Sequence, residues 1–342
     1  MKVMVLAGGD SGERDVSLAT GKAVVASLRR LGHEVLAVDP ATGLSLLDNK
    51  GQYQIPDKRG TAGGTLPAKS ASPRALANSL AATSYDDVEI IFVALHGGAG
   101  ENGTIQNLLS LAGKKYTGSG VTASVVAMDK RMAKRLMTSV DVPTPRWKSV
   151  RVSDDNDAVA VSAAVAADFD LPVIVKPNDG GSTLGLTKVT TPEGLAPAIK
   201  KAAEYGTRVL VEEYIAGREL TVAVLDGRAY PVVEIKPVNG LYDYEAKYTR
   251  GKSEYIAPAV IDERVAGNMK AAAVKVYDVI GASGLARIDF ILAPTGDFYC
   301  LELNSLPGMT DLSLAPMALK CEGIDFDRLV ALILESGLGR ND

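Results

Sequence analysis

The sequence predicts an α/β fold built from three α/β units. Three observations carry this. Short apolar runs alternate with helix-period segments, the polar glycine-bearing motifs sit at the ends of those runs, and 342 residues exceed one domain at roughly 150 residues each. Apolar residues make up 46% and charged residues 23%, an ordinary globular mixture. Lys plus Arg is 37 against 41 for Asp plus Glu, a formal charge of −4, so the basic footprint of a nucleic-acid binder is missing. No apolar run approaches the roughly 18 residues of a membrane span. Met1–Ala7 runs too soon into Gly8-Gly9 to be a signal peptide. The reading is a cytoplasmic protein with no membrane or nucleic-acid partner. Cys300 and Cys321 cannot build a disulfide framework or a thiolate zinc site, and two histidines exclude a His-rich centre. Carboxylates, hydroxyls, Lys and Arg must carry the chemistry.

Val3–Ala7 reads as a buried parallel strand and Gly8–Gly12 as a turn. A helix follows from about Ser17, with Val24 and Leu28 on one face and Gly32 as its stop. His33–Asp39 is the next strand. The glycine spacing does not match G-x-G-x-x-G, so this start is not read as a dinucleotide site. Residues 58–74 lack periodicity, are rich in Gly, Ser and Pro, and read as a surface insertion. Glu89–Leu95 is a further strand ending at His96, and the first unit closes near residue 120. A second unit begins with a helix around Met128–Ser139, followed by strands at Leu171–Lys176 and Leu186–Val189 around a glycine-rich loop. From Val209 strands dominate, with helices near 264–280 and 325–336.

Two segments point to chemistry. Val173–Gly185 is strand, glycine loop, strand, with Lys176 at its base, and it lacks the Gly-Lys-Ser/Thr of a P-loop. A plain hairpin and a backbone anion nest both fit it. Around Pro294-Thr295-Gly296-Asp297 the flanking alternation predicts a β-hairpin. Centring its turn between Thr295 and Gly296 sets Asp289 opposite Glu302 and Arg287 opposite Asn304, all on one face. Opposed carboxylates repel unless a cation lies between them. The all-oxygen set Asp289, Glu302 and Asn304 suits Mg²⁺, which also takes water and phosphate ligands. The other reading is a polar strand face relieved by Arg287.

Taken together, these residues resemble the ATP-grasp enzymes and, within them, the D-alanine–D-alanine ligases. The resemblance is carried by Gly8-Gly9 with Glu13-Arg14-Asp15-Val16-Ser17, His96–Thr104, Met128-Asp129-Lys130, Lys176-Pro177 with Gly181-Ser182, Tyr242–Tyr248, Glu302–Thr310 and Ser313-Leu314. It spans nearly the whole chain outside 58–74. It implies a three-domain ATP-grasp fold: an N-terminal α/β substrate domain over 1–120, a small central α+β domain over 121–212 and a C-terminal α+β catalytic domain over 213–342.

The implied reaction is ATP-dependent joining of two D-alanines through an acyl phosphate, for peptidoglycan synthesis. The implied cofactors are ATP and two Mg²⁺ (or Mn²⁺), and the implied assembly is a homodimer. By the same resemblance Lys130 and Lys176 hold phosphates under the 180–185 loop, which includes Gly181 and Ser182. Glu212 takes the adenine amino group, backbone at Glu213 and Ile215 completes that recognition, Tyr214 packs on the base and Glu219 holds the ribose. Asp289, Glu302 and Asn304 hold the metal ions, and Lys247 neutralises the transferred phosphoryl. Arg287 and the Gly308 N–H form the oxyanion site. Glu13 binds the first substrate's ammonium and orients Ser182, which bonds Tyr248 on a lid over 240–256. Ser313 and Leu314 receive the second substrate. His96 is either a first-substrate contact or a structural histidine. The alternatives are a D-Ala–D-lactate, D-Ala–D-Ser or broad-specificity D-amino acid ligase, and a silent nucleotide-binding regulator. The last is disfavoured because Lys176, Arg287, Asp289 and Glu302 are all present.

Overall fold

In the computed structural model residues 1–55, 77, 87–181, 183–237, 253–310 and 313–340 are described. The expected insertion at 58–74, Ser182, Lys247, Tyr248 and the lid as far as 252 lie outside them.

The apolar run at the start forms β1 (Lys2–Leu6), followed by α1 (Arg14–Arg30) and β2 (Glu34–Asp39), with Gly32 at φ 81 ending the helix. β3 (Leu44–Ser45) pairs antiparallel with β2, and β4 (Ile90–Val93) pairs parallel with β1, giving the order β3-β2-β1-β4. The short helices α2 (Gly98–Glu101) and α3 (Thr104–Leu111) follow. Side chains alternate between faces, and both faces are covered, which is why β1 reads as unbroken apolar sequence. Val3 and Val5 pack with Val24 and Leu28 of α1, while Met4 and Leu6 pack with Ile105 and Leu109.

The helix expected around 128–139 is α5 (Lys130–Ser139), and a helix not read from the sequence, α4 (Val121–Met128), precedes it. Asp129 breaks the run with extended backbone (ψ 94), and its carboxylate caps α5 by accepting the Met132 N–H at 3.0 Å. The pair packs against a later sheet: Ala123, Ala127, Ala133 and Met137 share a core with Leu220, Val222, Ile288 and Phe290.

The central unit comprises β5 (Trp147–Arg151), α6 (Asp155–Asp168), β6 (Val173–Pro177), β7 (Thr187–Val189), α7 (Leu195–Ala203) and β8 (Arg208–Glu213). Its sheet is antiparallel, in the order β5-β8-β6-β7. Val173, Val175, Val209 and Val211 pack beneath α6 and α7 with Val165 and Ile199. By the period of two, Lys176 and Glu212 must point to the opposite face.

The third sheet contains β9 (Arg218–Leu225), β10 (Arg228–Ala229), β11 (Val233–Pro237), β12 (Ser253–Ile256), β13 (Leu285–Leu292) and β14 (Phe298–Asn304). Their order is β12-β11-β9-β13-β14, with β10 on β9. β12 occupies the last four positions of the segment expected as a lid. Between β12 and β13 runs α8 (Glu263–Ile280), capped by Asp262 and ended by left-handed Gly281. The chain then returns to the first sheet. α9 (Leu314–Lys320), absent from the sequence reading, and α10 (Phe326–Leu338) place Leu314, Leu319, Leu329 and Ile333 against Val3 and Val5.

The start of β9 depends on Gly217. A Cβ there would lie 2.3 Å from the Leu292 carbonyl oxygen and 2.7 Å from Ile291 Cγ2. Backbone cannot swing aside, so Gly217→Ala is expected to cost about 1–3 kcal/mol, read as a lowered urea midpoint. An unchanged midpoint would show that the strand shifts freely. Among the described residues no helix is long and apolar enough to cross a membrane.

Candidate active site

Lys130 and Lys134 stand one turn apart on α5 and so project from one face, toward the inner face of the central sheet. There Glu212 of β8 receives two ammonium groups. Lys134 Nζ lies 2.9 Å from its Oε1 and Lys176 Nζ 2.7 Å from its Oε2. Lys134 is 0% exposed and also donates to Thr144 Oγ1 at 2.5 Å. Burial opposes ionisation of Glu212, but Lys134 and Lys176 outweigh it and hold its pKa below the ordinary glutamate value. Burial pulls the Lys134 pKa down, further than Glu212 restores it.

Lys130 joins two units. Its Nζ donates to the Gly180 carbonyl at 2.7 Å and pairs with Glu302 Oε2 at 3.0 Å. Burial disfavours its charge, yet Glu302 more than compensates and raises its pKa. The glycine loop is anchored at its first turn by Asn178, whose side-chain oxygen accepts the Arg131 N–H at 3.1 Å.

Beside its turn the hairpin runs one residue out of the expected register, with Phe290 opposite Cys300 and Leu292 opposite Phe298, and a bulge restores that register at the site. Asp289 pairs with Glu302 and Arg287 with Asn304, and a bulge follows between Asp289 and Phe290. Because β9 also pairs with β13, Thr221 lies opposite Asp289 and Glu219 opposite Ile291, on the same face. The Arg287 guanidinium grips Asp289 through two 2.8 Å bonds, and Thr221 Oγ1 donates to the same carboxylate at 2.7 Å. Asn304 Oδ1 accepts the Leu306 N–H at 3.1 Å. The repulsion between the two carboxylates is thus relieved by Arg287 on one side and Lys130 on the other. Among the described residues no cluster of three or more His, Cys, Asp or Glu could hold a metal. Two carboxylates and one carboxamide nevertheless fit Mg²⁺, which binds through one or two carboxylates plus substrate phosphate.

Glu13 precedes α1, and its Oε2 sits between two glycines. A Cβ would approach it to 2.5 Å at Gly97 and to 3.1 Å at Gly181. Gly97 is left-handed at φ 64, so glycine is favoured there twice over. Gly308 lies beside Ser313, whose Oγ would be 3.0 Å from an added Cβ and accepts the Thr310 N–H at 3.0 Å. His96 has both ring nitrogens engaged, Nδ1 with the Leu306 carbonyl and Nε2 with Thr20 Oγ1, each at 2.9 Å.

The fold therefore brings together Lys130, Lys176, Glu212 and Glu302, sets Arg287, Asp289 and Asn304 on one face, and joins Glu13 to Gly181. Tyr214 and Ile215 are half-buried, with Lys188 Nζ 3.5 Å above the Tyr214 ring, and the Glu213 N–H donates to the Arg146 carbonyl at 2.9 Å. Leu314 is instead buried in the core of the first sheet. Sequence reasoning missed Lys134; its signal was the four-residue spacing from Lys130. It also missed Thr20.

An α/β protein whose central and third sheets close a Lys-rich cleft over an acidic hairpin belongs to the ATP-grasp class. The D-ala D-ala ligase N-terminus family matches residues 2–119 and the D-ala D-ala ligase C-terminus family matches residues 136–335. A D-alanine–D-alanine ligase of Syntrophotalea carbinolica is 41% identical over 333 residues, covering 97% of this chain and 95% of that one. One from Gloeobacter violaceus is also 41% identical, over 99% of this chain and 100% of its own. Among solved structures, the VanG D-Ala:D-Ser ligase of Enterococcus faecalis superposes with a TM-score of 0.77 at 27% identity, covering 98% of this chain and 99% of its own. The chain belongs to the D-alanine–D-alanine ligase family.

Proposed function

We propose that the protein uses ATP to join two D-alanines into D-alanyl-D-alanine for peptidoglycan synthesis in the cytoplasm. The γ-phosphoryl leaves ADP and bonds to a carboxylate oxygen of the first D-alanine. The amine of the second then attacks that carbonyl carbon, loses a proton and expels phosphate. The observation that carries this reading is the meeting of the Lys130, Lys134 and Lys176 ammonium groups with the Arg287–Asp289 and Glu302 hairpin in one cleft.

Two ammonium groups share the single Glu212 carboxylate, so the buried set retains positive charge for a polyanion. In this reading Lys130 and Lys176 hold ATP phosphates beneath the Gly181 loop, and the Glu212–Ile215 segment with Glu219 holds the adenosine. Asp289, Glu302 and Asn304 would hold Mg²⁺, two ions by family resemblance. Bound there, the metal would neutralise phosphate charge. Glu13 takes the ammonium of the first D-alanine, and Ser313 the carboxylate of the second. Arg287 and the Gly308 N–H stabilise the oxyanion of the tetrahedral intermediate. Ser182, Lys247 and Tyr248 complete the site from outside the described residues. The homodimer implied by the family belongs to the same proposal. So do the divisions at 120/121 and 212/213, which mark changes of role rather than of packing, since α4 and α5 pack on the third sheet.

The test is product identity with ATP and equimolar D-alanine and D-lactate, with D-serine and L-alanine in parallel. Mainly the D-Ala dipeptide is expected at pH 7.5. The α-ammonium of a free amino acid, held by its own carboxylate, is still largely protonated at pH 7.5, so the rate is expected to rise toward pH 9 as the attacking amine loses its proton. A product dominated by the D-lactate ester or by D-Ala–D-Ser would replace this reading with one of the alternative ligases.

A further inference from the structure

We propose that Thr20 is a positioning residue, which with His96 clamps the Leu306–Met309 turn and so aims the Gly308 N–H at the reacting carbonyl. The inference rests on the oxyanion role given to Gly308 above.

Three hydrogen bonds define the clamp. His96 Nδ1 meets the Leu306 carbonyl at 2.9 Å, and a carbonyl only accepts, so Nδ1 carries the proton. Glu101 Oε1, 3.8 Å from the same nitrogen, favours that tautomer. In the neutral ring Nε2 is then an acceptor, and its partner at 2.9 Å is Thr20 Oγ1, which must donate. The lone pairs of Thr20 remain to accept, and the Met309 N–H approaches them at 3.4 Å. The order is closed and consistent: Met309 N–H to Thr20, Thr20 O–H to His96, His96 N–H to Leu306.

The two ends of this chain matter. The Leu306 carbonyl and the Met309 N–H flank Pro307-Gly308, and in a hydrogen-bonded turn they would bond to each other. Here two side chains stand between them. Thr20 belongs to α1 and His96 follows β4, so the first sheet sets the shape of a loop that leaves the third. Thr20 is 1% and His96 5% exposed, so the arrangement is buried. Thr20 lies outside the reacting groups and acts through the backbone.

Thr20→Val keeps the shape and removes the hydroxyl; Thr20→Ser keeps the hydroxyl. A misplaced stabilising group costs rate more than ground-state binding. Thr20→Val is therefore expected to lower kcat on the order of 10- to 100-fold, with KM for ATP within about twofold. Thr20→Ser should retain kcat within about threefold. A non-hydrolysable phosphinate dipeptide, tetrahedral at phosphorus, should lose affinity for Thr20→Val in step with kcat. A fall in kcat with unchanged phosphinate affinity would keep the clamp and overturn the oxyanion role of Gly308. A kcat for Thr20→Val within threefold of wild type, or Thr20→Ser as damaging as Thr20→Val, would overturn the clamp. If Thr20→Val does not fold, the wild-type protein still decides. It has only two histidines, so ¹⁵N spectra separate His96 by comparison with a His33→Gln variant. The expected state carries the proton on Nδ1 and accepts at Nε2; the opposite tautomer would overturn the proposal.

Discussion

Glu212→Gln is expected to destabilise the protein by about 3–5 kcal/mol, because it leaves two buried ammonium groups without their shared carboxylate. Native domains hold only about 5–15 kcal/mol in all, so a large fall in the urea midpoint should result. Gln keeps the volume and one accepting oxygen, which isolates the charge. The double variant Glu212→Gln/Lys134→Met should recover most of the loss, since the most deeply buried unpaired cation is then gone. The pH dependence has a defined sign. The folded pKa of Glu212 is depressed, so its contribution is present above the unfolded carboxylate value near 4.3 and is lost as pH falls through the folded value. Glu212→Gln should therefore show a shallower acid limb than the wild type. The Lys134 pKa already lies below its free value and falls further in the variant, so folding releases its proton. The deficit of Glu212→Gln should shrink as pH rises toward 9. Equal midpoints for Glu212→Gln and wild type across this range would remove the buried triad from the energetics.

Glu302→Gln is expected to keep the fold and lose turnover by roughly 10²–10³-fold, the effect of deleting one electrostatic group that acts on developing charge. The side chain is partly exposed, and Gln can still accept from Lys130, so thermal stability should change little. The rate loss should be largest at limiting Mg²⁺, because the variant lacks one anionic ligand of the proposed pair. Unchanged turnover at limiting Mg²⁺ with normal stability would falsify the metal assignment. Loss of rate together with loss of fold would assign Glu302 to the Lys130 ion pair instead.

The two residues were legible in the sequence to different degrees. Counting outward from Pro294-Thr295-Gly296-Asp297 sets Glu302 opposite Asp289, and the structure has that pair, although the strands beside the turn pair one residue away from the count. The bulge after Asp289 was not legible, and it decides the pairing at the site: the register beside the turn, carried on unbroken, would set Asp289 opposite Leu301. For Glu212 only the ligand role carried by family resemblance was available. Its burial between Lys134 and Lys176 joins a helix and two strands distant in sequence, and no local period reports such a meeting.

What the sequence by itself determined is therefore the content of each element. It set the buried parallel strand from Val3, the stop at Gly32, the strands on either side of the glycine loop, the face that Arg287 shares with Asp289 and the face that Glu302 shares with Asn304. These follow from side-chain period and turn chemistry, which act over a few residues. The tertiary structure alone decided how the elements share cores. It set an unread helix, α4, ahead of the expected one and packed both on the third sheet. It carried Leu314–Leu338 back to the first sheet, burying Leu314, and engaged both nitrogens of His96 with Thr20 and Leu306. Apolar burial and ion pairing are indifferent to separation along the chain, so their partners are fixed only when the sheets close on one another.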